Sequence, residues 1–164
     1  MRTSIATLAT TISLCAAAAL GDAPFDNWKL LNAVKVKEVV QNNVWVAVKE
    51  YPDALLAQTD PFTIEGFYLP IEAQGYVSTF LLIRDPAECP FCGDGGYGPS
   101  LEVTLKRPLK DKEPYSRIVL EGTLDLIDEP ETFMAYRLLD AKVLSIAPAE
   151  AEHKERWNRG LLDW

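Results

Sequence analysis

Two stretches of this chain alternate apolar and polar residues with a period of two, a pattern a helix cannot use. Leu101, Val103 and Leu105 are interleaved with Glu102, Thr104 and Lys106, and Ile118, Leu120, Gly122, Leu124 and Leu126 with Glu121, Thr123 and Asp125. Successive side chains of a strand point to opposite faces, so each run can bury one row and solvate the other, as a half-buried antiparallel sheet requires. Gly, Pro and Asn punctuate the rest of the chain at short intervals, which argues for many short strands rather than long helices.

The same reasoning predicts strands over Phe62 to Leu69 and Tyr76 to Ile83, paired across the Pro70 to Gly75 connection. A last strand is expected over Tyr136 to Ile146, kinked near Asp140-Ala141. Val34 to Val40 and Val44 to Val48 flank Asn42-Asn43, and Asn accepts the positive φ of a tight turn, so a hairpin is expected there; a helix over Trp28 to Val40 is the competing reading. Asp53 to Gln58 follows Pro52 and reads as a short helix. Pro148 could introduce another over Ala149 to Leu162, with His153, Trp157 and Leu161 on one face; a frayed tail is the alternative. Strands spaced near ten residues with one or two peripheral helices predict a mainly β protein, a small closed or partly open barrel. Gly66 and Gly122 interrupt apolar strand faces and mark bends where a sheet curls over its neighbour. Phe80, Leu82 and Tyr136 read as core.

Met1-Arg2, an apolar run from Ile5 to Leu20 and small residues up to Gly21 read as a secretory signal over residues 1–21. A membrane anchor is the rival reading, but Thr and Ser interrupt the run. Residues 22–147 are then the barrel domain, and 148–164 a C-terminal helix or tail. Cys15 leaves with the signal. The chain has 164 residues, so what remains is of ordinary single-domain size. A net charge of −8 disfavours nucleic acid and anionic lipid surfaces as partners and favours cations and basic proteins. The expected location is the periplasm or the exterior, with no direct membrane insertion after signal removal.

Cys89 and Cys92 then remain, in a Gly- and Pro-rich loop, and they can be a lock, a metal site or a redox couple. In an oxidising compartment adjacent thiols pair, and closing so short a loop stabilises by about 2 kcal/mol or less. This disulfide is the favoured reading. A closed zinc site wants about four ligands. The nearest supporting candidates are Asp94, Glu88 and the sole histidine, His153, so a two-thiolate copper(I) or shared zinc site is the metal alternative. A thioredoxin-like couple lacks its helix, because Gly93 to Pro99 cannot continue one after Cys92. For the same reason the Gly93-x-Gly95-x-x-Gly98 spacing is not a dinucleotide fingerprint: no helix N-terminus follows to hold a pyrophosphate.

Catalytic constellations fail on inventory. One histidine in a charged tail would have to fold back over the barrel to join a triad, and a solvated histidine is expected. Asp128, Glu129 and Glu131 surround Pro130 and read as a solvated acidic turn, because acid–base work needs a carboxyl beside an apolar wall.

The ordered set Trp28-x-x-Leu31, Tyr51-Pro52, Ile64-x-Gly66-x-x-x-Pro70, Phe80-Leu81-Leu82, Cys89-Pro90-Phe91-Cys92, Gly122-Thr123-Leu124 and Tyr136-Arg137-Leu138 resembles an uncharacterised family of exported bacterial proteins with an OB-like β-barrel. The resemblance covers nearly all of the chain after the signal. It implies an OB-like antiparallel barrel and, loosely, an association with transport or metal-handling systems, and it brings no catalytic residues. Some OB-like barrels bind nucleic acid through basic grooves with stacked aromatics. Here Lys106, Arg107, Lys110 and Lys112 are the only basic cluster, interrupted by Asp111 and Glu113, and a soluble hairpin tip is expected. The sequence therefore points to an exported, non-enzymatic binding or accessory module, with an envelope transporter or other periplasmic protein as partner and no assured cofactor. The alternative is a thiol-dependent zinc, copper or redox protein using Cys89 and Cys92. A purely structural partner of an envelope transporter, using the barrel faces and the Trp157 to Trp164 tail, is a third.

Overall fold

The computed structural model describes residues 27–59, 61–72, 74–88 and 99–155. Seven strands are present among them: β1 (Lys35–Gln41), β2 (Val44–Glu50), β3 (Phe62–Leu69), β4 (Tyr76–Ile83), β5 (Ser100–Lys110), β6 (Arg117–Leu126) and β7 (Tyr136–Ala147). The last five close into a barrel in the order β3-β4-β5-β7-β6, with β6 returning to β3. This is the OB-like barrel that the alternation and the resemblance led us to expect. One seam departs from antiparallel pairing: β5 and β7 run parallel, through Glu102↔Arg137, Val103↔Leu138 and Leu105↔Ala141.

The barrel closes around the alternating rows. Phe62, Ile64, Tyr68, Phe80, Leu82, Leu101, Val103, Leu120 and Leu138 are fully buried and form one cluster. Tyr136 is only half-buried at its rim. Gly66 and Gly122 sit where strands approach too closely for a side chain. A Cβ on Gly66 would lie 2.7 Å from the carbonyl oxygen of Ile83, and one on Gly122 2.7 Å from that of Leu139. The expected kink in β7 is present: Asp140 has φ 50°, and the β6–β7 register slips between Glu121 and Thr123. An extra residue there steepens the local twist, which barrel closure requires.

β3 and β4 pair only at Phe67↔Ile83, Tyr68↔Leu82 and Leu69↔Leu81, leaving the first half of β3 with an open edge on that side. Helix α1 (Trp28–Asn32) covers it. Asn27 donates from Nδ2 to the Thr63 carbonyl at 2.5 Å, and the Trp28 indole N–H donates to the Glu65 carbonyl at 2.6 Å. These are alternate residues of one strand, so two side chains stand in for a neighbouring ladder. Trp28, Leu31 and, from the short helix α2 (Asp53–Leu56), Leu55 join the barrel's buried cluster.

Both readings of the segment after Trp28 hold in part: a helix comes first, then the Asn42-Asn43 hairpin. β1 and β2 pair from Lys35↔Glu50 to Gln41↔Val44, with φ of 52° and 61° at the two turn residues. Two positive φ values are what a type I′ turn demands. The hairpin forms its own sheet and is fastened to the connection between β6 and β7. Ala47 N–H donates to the Pro130 carbonyl at 2.8 Å, Lys49 Nζ to the Glu129 carbonyl at 2.7 Å, and Tyr51 Oη to the carbonyls of Ile127 and Ala135.

Two expectations are corrected. The basic cluster is not a hairpin tip. β5 continues through Lys106, Arg107 and Lys110 because its pairing with β4 resumes at Val77↔Leu109 and Tyr76↔Lys110, leaving only Lys112 in the connection. The histidine is half-buried rather than fully solvated. Residues 151–155 are helical and return to the barrel, setting the His153 ring against Phe67 and Tyr115, with centroids at 5.5 and 6.2 Å. Burial of Ala149 beside Leu69, Ile83 and Tyr115, and an ion pair from Lys154 to Glu113 at 2.7 Å, hold this tail in place.

Candidate functional site

Buried apolar side chains occupy the barrel interior, and the candidate site lies outside it. A concavity opens at the parallel seam. β5–β7 pairing ends at Leu105↔Ala141, and β4–β5 pairing jumps from Thr79↔Thr104 to Val77↔Leu109. Residues 105–108 of β5 therefore oppose Ser78 alone, and Lys106, Arg107 and Pro108 have no ladder partner on either side. Proline cannot donate to a ladder, so Pro108 belongs in such a bulge. The strands splay beyond it, and the cleft between them holds about 540 Å³.

Its walls are Leu105, Pro108 and Leu109 from β5 and Ala141 and Val143 from β7, with Lys106, Arg107 and Lys142 contributing cations from both sides. Lys142 lies 3.6 Å from Glu121. Lys106 and Arg107 have no ion-pair partner among the described residues. In a chain of net charge −8, two cations without an ion-pair partner among the described residues, lining a cleft with apolar side chains, set the local field against the global one. A volume of several hundred Å³ with apolar walls and a few charges is the usual form of a small-ligand site. The arrangement can hold an anion attached to an apolar body. It contains no nucleophile–base pair and no carboxyl set against a wall to shift its pKa.

Beyond one end of the cleft, Tyr68 donates to Asp111 Oδ1 at 2.5 Å. Burial first, and then this bond, hold its phenol far above the usual range. Burial pushes Tyr136 up to about 12, and burial followed by the charges of Asp128, Glu129 and Asp125 raises Tyr51. Tyr51 and Tyr68 are structural donors, and all three phenols stay protonated rather than serving as acids or bases for a reaction near neutrality.

Of the residues singled out from sequence, Cys89, Cys92 and Asp94 lie outside the described residues, as do the signal segment and residues 156–164. His153 is at the end of the barrel where β3 finishes, its Nδ1 buried without a hydrogen-bond partner among the described residues. Among the described residues no three His, Cys, Asp or Glu side chains come together to hold a metal, and no helix is long and apolar enough to cross a membrane. The acidic residues Asp128, Glu129 and Glu131 are exposed, as expected. Lys142 and Pro108 were missed as site residues, although a proline within an alternating run is the local mark of a bulge.

Comparison with protein-family models, with curated proteins and with solved structures finds no match to this chain.

Proposed function

We propose that this protein is an exported, non-catalytic accessory module that binds an anionic ligand with an apolar portion in the cleft between β5 and β7. The single observation behind this reading is that Lys106 and Arg107, without an ion-pair partner among the described residues, line the same cleft as Leu105, Leu109 and Val143 in an otherwise acidic molecule. A filled barrel supplies a rigid frame for such a site, and positions on strands are held more tightly than those on loops. The signal-like start of the sequence supports export, and the thiols of Cys89 and Cys92 enter this reading as a disulfide that stiffens the loop before β5.

Titration with octanoate and with an acidic peptide, followed by amide chemical shifts, tests it. Shifts concentrated at 105–109 and 141–143, lost in the Lys106→Glu/Arg107→Glu variant, are the expected result. If neither probe moves those amides, or if the variant responds like the parent, the reading fails.

A further inference from the structure

The cleft is bounded by main chain as well as by side chains. After Ala141, β7 is paired on one side only, with β6, through Lys142↔Glu121, Val143↔Leu120, Ser145↔Val119, Ile146↔Ile118 and Ala147↔Arg117. Its other edge, over residues 142–147, has no strand partner among the described residues. Six residues at about 3.3 Å each make this edge about 20 Å long. The facing stretch of β5, from Lys106 to Pro108, is likewise outside any ladder. Open edges in natural sheets are covered, blunted or used. The open edge of β3 is covered, by the side chains of Asn27 and Trp28; the edge of β7 has no such cover among the described residues, and Leu144 and Ile146 stand exposed along it.

Resting on the reading of the cleft as a binding site, we propose that its ligand is an extended acidic segment of a partner protein, taken up by strand addition along residues 142–147 of β7. The backbone of the incoming segment pairs with the free edge of β7. Its apolar side chains lie against Leu109 and Val143, and its carboxylates meet Lys106 and Arg107 across the gap. Main-chain bonds supply affinity in this mode and alternate side chains supply selectivity. The four-residue span of β5 against Ser78 includes both cations, and the cleft between it and β7 has a volume of about 540 Å³. A basic or neutral segment gains the same ladder but lacks the charge match, so the site selects by charge as well as by extension.

The test uses the full chain and three synthetic eight-residue peptides: alternating Val and Glu, the same peptide N-methylated at every second amide, and alternating Val and Lys. The proposal expects the Val–Glu peptide to shift amides 142–147 and 106–109 and to bind at least tenfold more tightly than either control. It also expects the Lys106→Glu/Arg107→Glu variant to lose at least tenfold in affinity. Equal binding of the N-methylated peptide at the cleft overturns strand addition and leaves an anion-binding cleft standing. Octanoate binding without binding of any peptide has the same meaning. A silent cleft with every probe overturns both readings.

Discussion

The indole N–H of Trp28 meets the carbonyl of Glu65 at 2.6 Å, and through this bond a five-residue helix closes a barrel edge that no strand among the described residues covers. Trp28 is also almost fully buried, so its ring and its donor act together. Trp28→Phe keeps most of the bulk and leaves the Glu65 carbonyl without its donor, which should cost about 1–3 kcal/mol. Trp28→Ala should cost about 3–5 kcal/mol. Urea unfolding measures both, and a Phe variant as stable as the parent would show that water replaces the bond without loss.

Gly122→Ala should destabilise the barrel by about 1–3 kcal/mol, because the obstructing atoms, the Leu139 oxygen and the Ala141 Cα, are backbone and cannot rotate away. Gly75→Ala is the control, since nothing lies within 4 Å of the added methyl. It should be neutral, or stabilising by about 0.4–1 kcal/mol through the unfolded chain. Equal melting temperatures for the two variants would remove the steric account of the corner.

At Asn43, with φ 61°, replacement by Gly should hold or slightly raise the stability of the hairpin, whereas Ala should cost about 1 kcal/mol. The loss should be local. Amide exchange in β1 and β2 should accelerate in Asn43→Ala while β3 to β7 keep their protection, because the hairpin is a sheet of its own.

Alkaline stability follows from the phenols. Tyr51, Tyr68 and Tyr136 all ionise less readily in the fold than in an unfolded chain, with Tyr136 raised to about 12. The unfolded chain therefore releases protons first as pH rises. Their contribution is fully present below about pH 10, the ordinary phenol value, and is lost as pH climbs through their raised folded-state values, for Tyr136 about 12. Phenolate absorbance should include a rise from these three that appears only together with loss of structure. A single transition near pH 10 with the barrel intact would contradict it.

Local signals were the readable part of this fold. β3 and β4 begin and end where Phe62–Leu69 and Tyr76–Ile83 were expected, because Pro and Gly bound them and alternation runs through them. The Asn42-Asn43 turn and the bend at Asp140 are equally local, each written in one or two residues. What could not be read depends on distant partners. Nothing within β5 says that its neighbour is β7 in parallel, or that pairing with β4 resumes after Pro108; both follow from closure of the barrel. The His153 ring docks because Phe67 and Tyr115, far away in sequence, form a surface for it. The cleft was hidden for the same reason. Lys106 and Lys142 belong to strands that meet only in space, and charge counting placed the first at a solvated tip.

Among the described residues, the bonds that tie the acidic connection between β6 and β7 to Ala47, Lys49 and Tyr51 all end on its own carbonyl oxygens, at Ile127, Glu129, Pro130 and Ala135. Such tethers are blind to side-chain identity. Asp128, Glu129 and Glu131 can therefore be exchanged for other residues while the path of the loop persists, which makes this segment a place where a homologue or an engineer could rewrite surface charge without rebuilding the scaffold beneath.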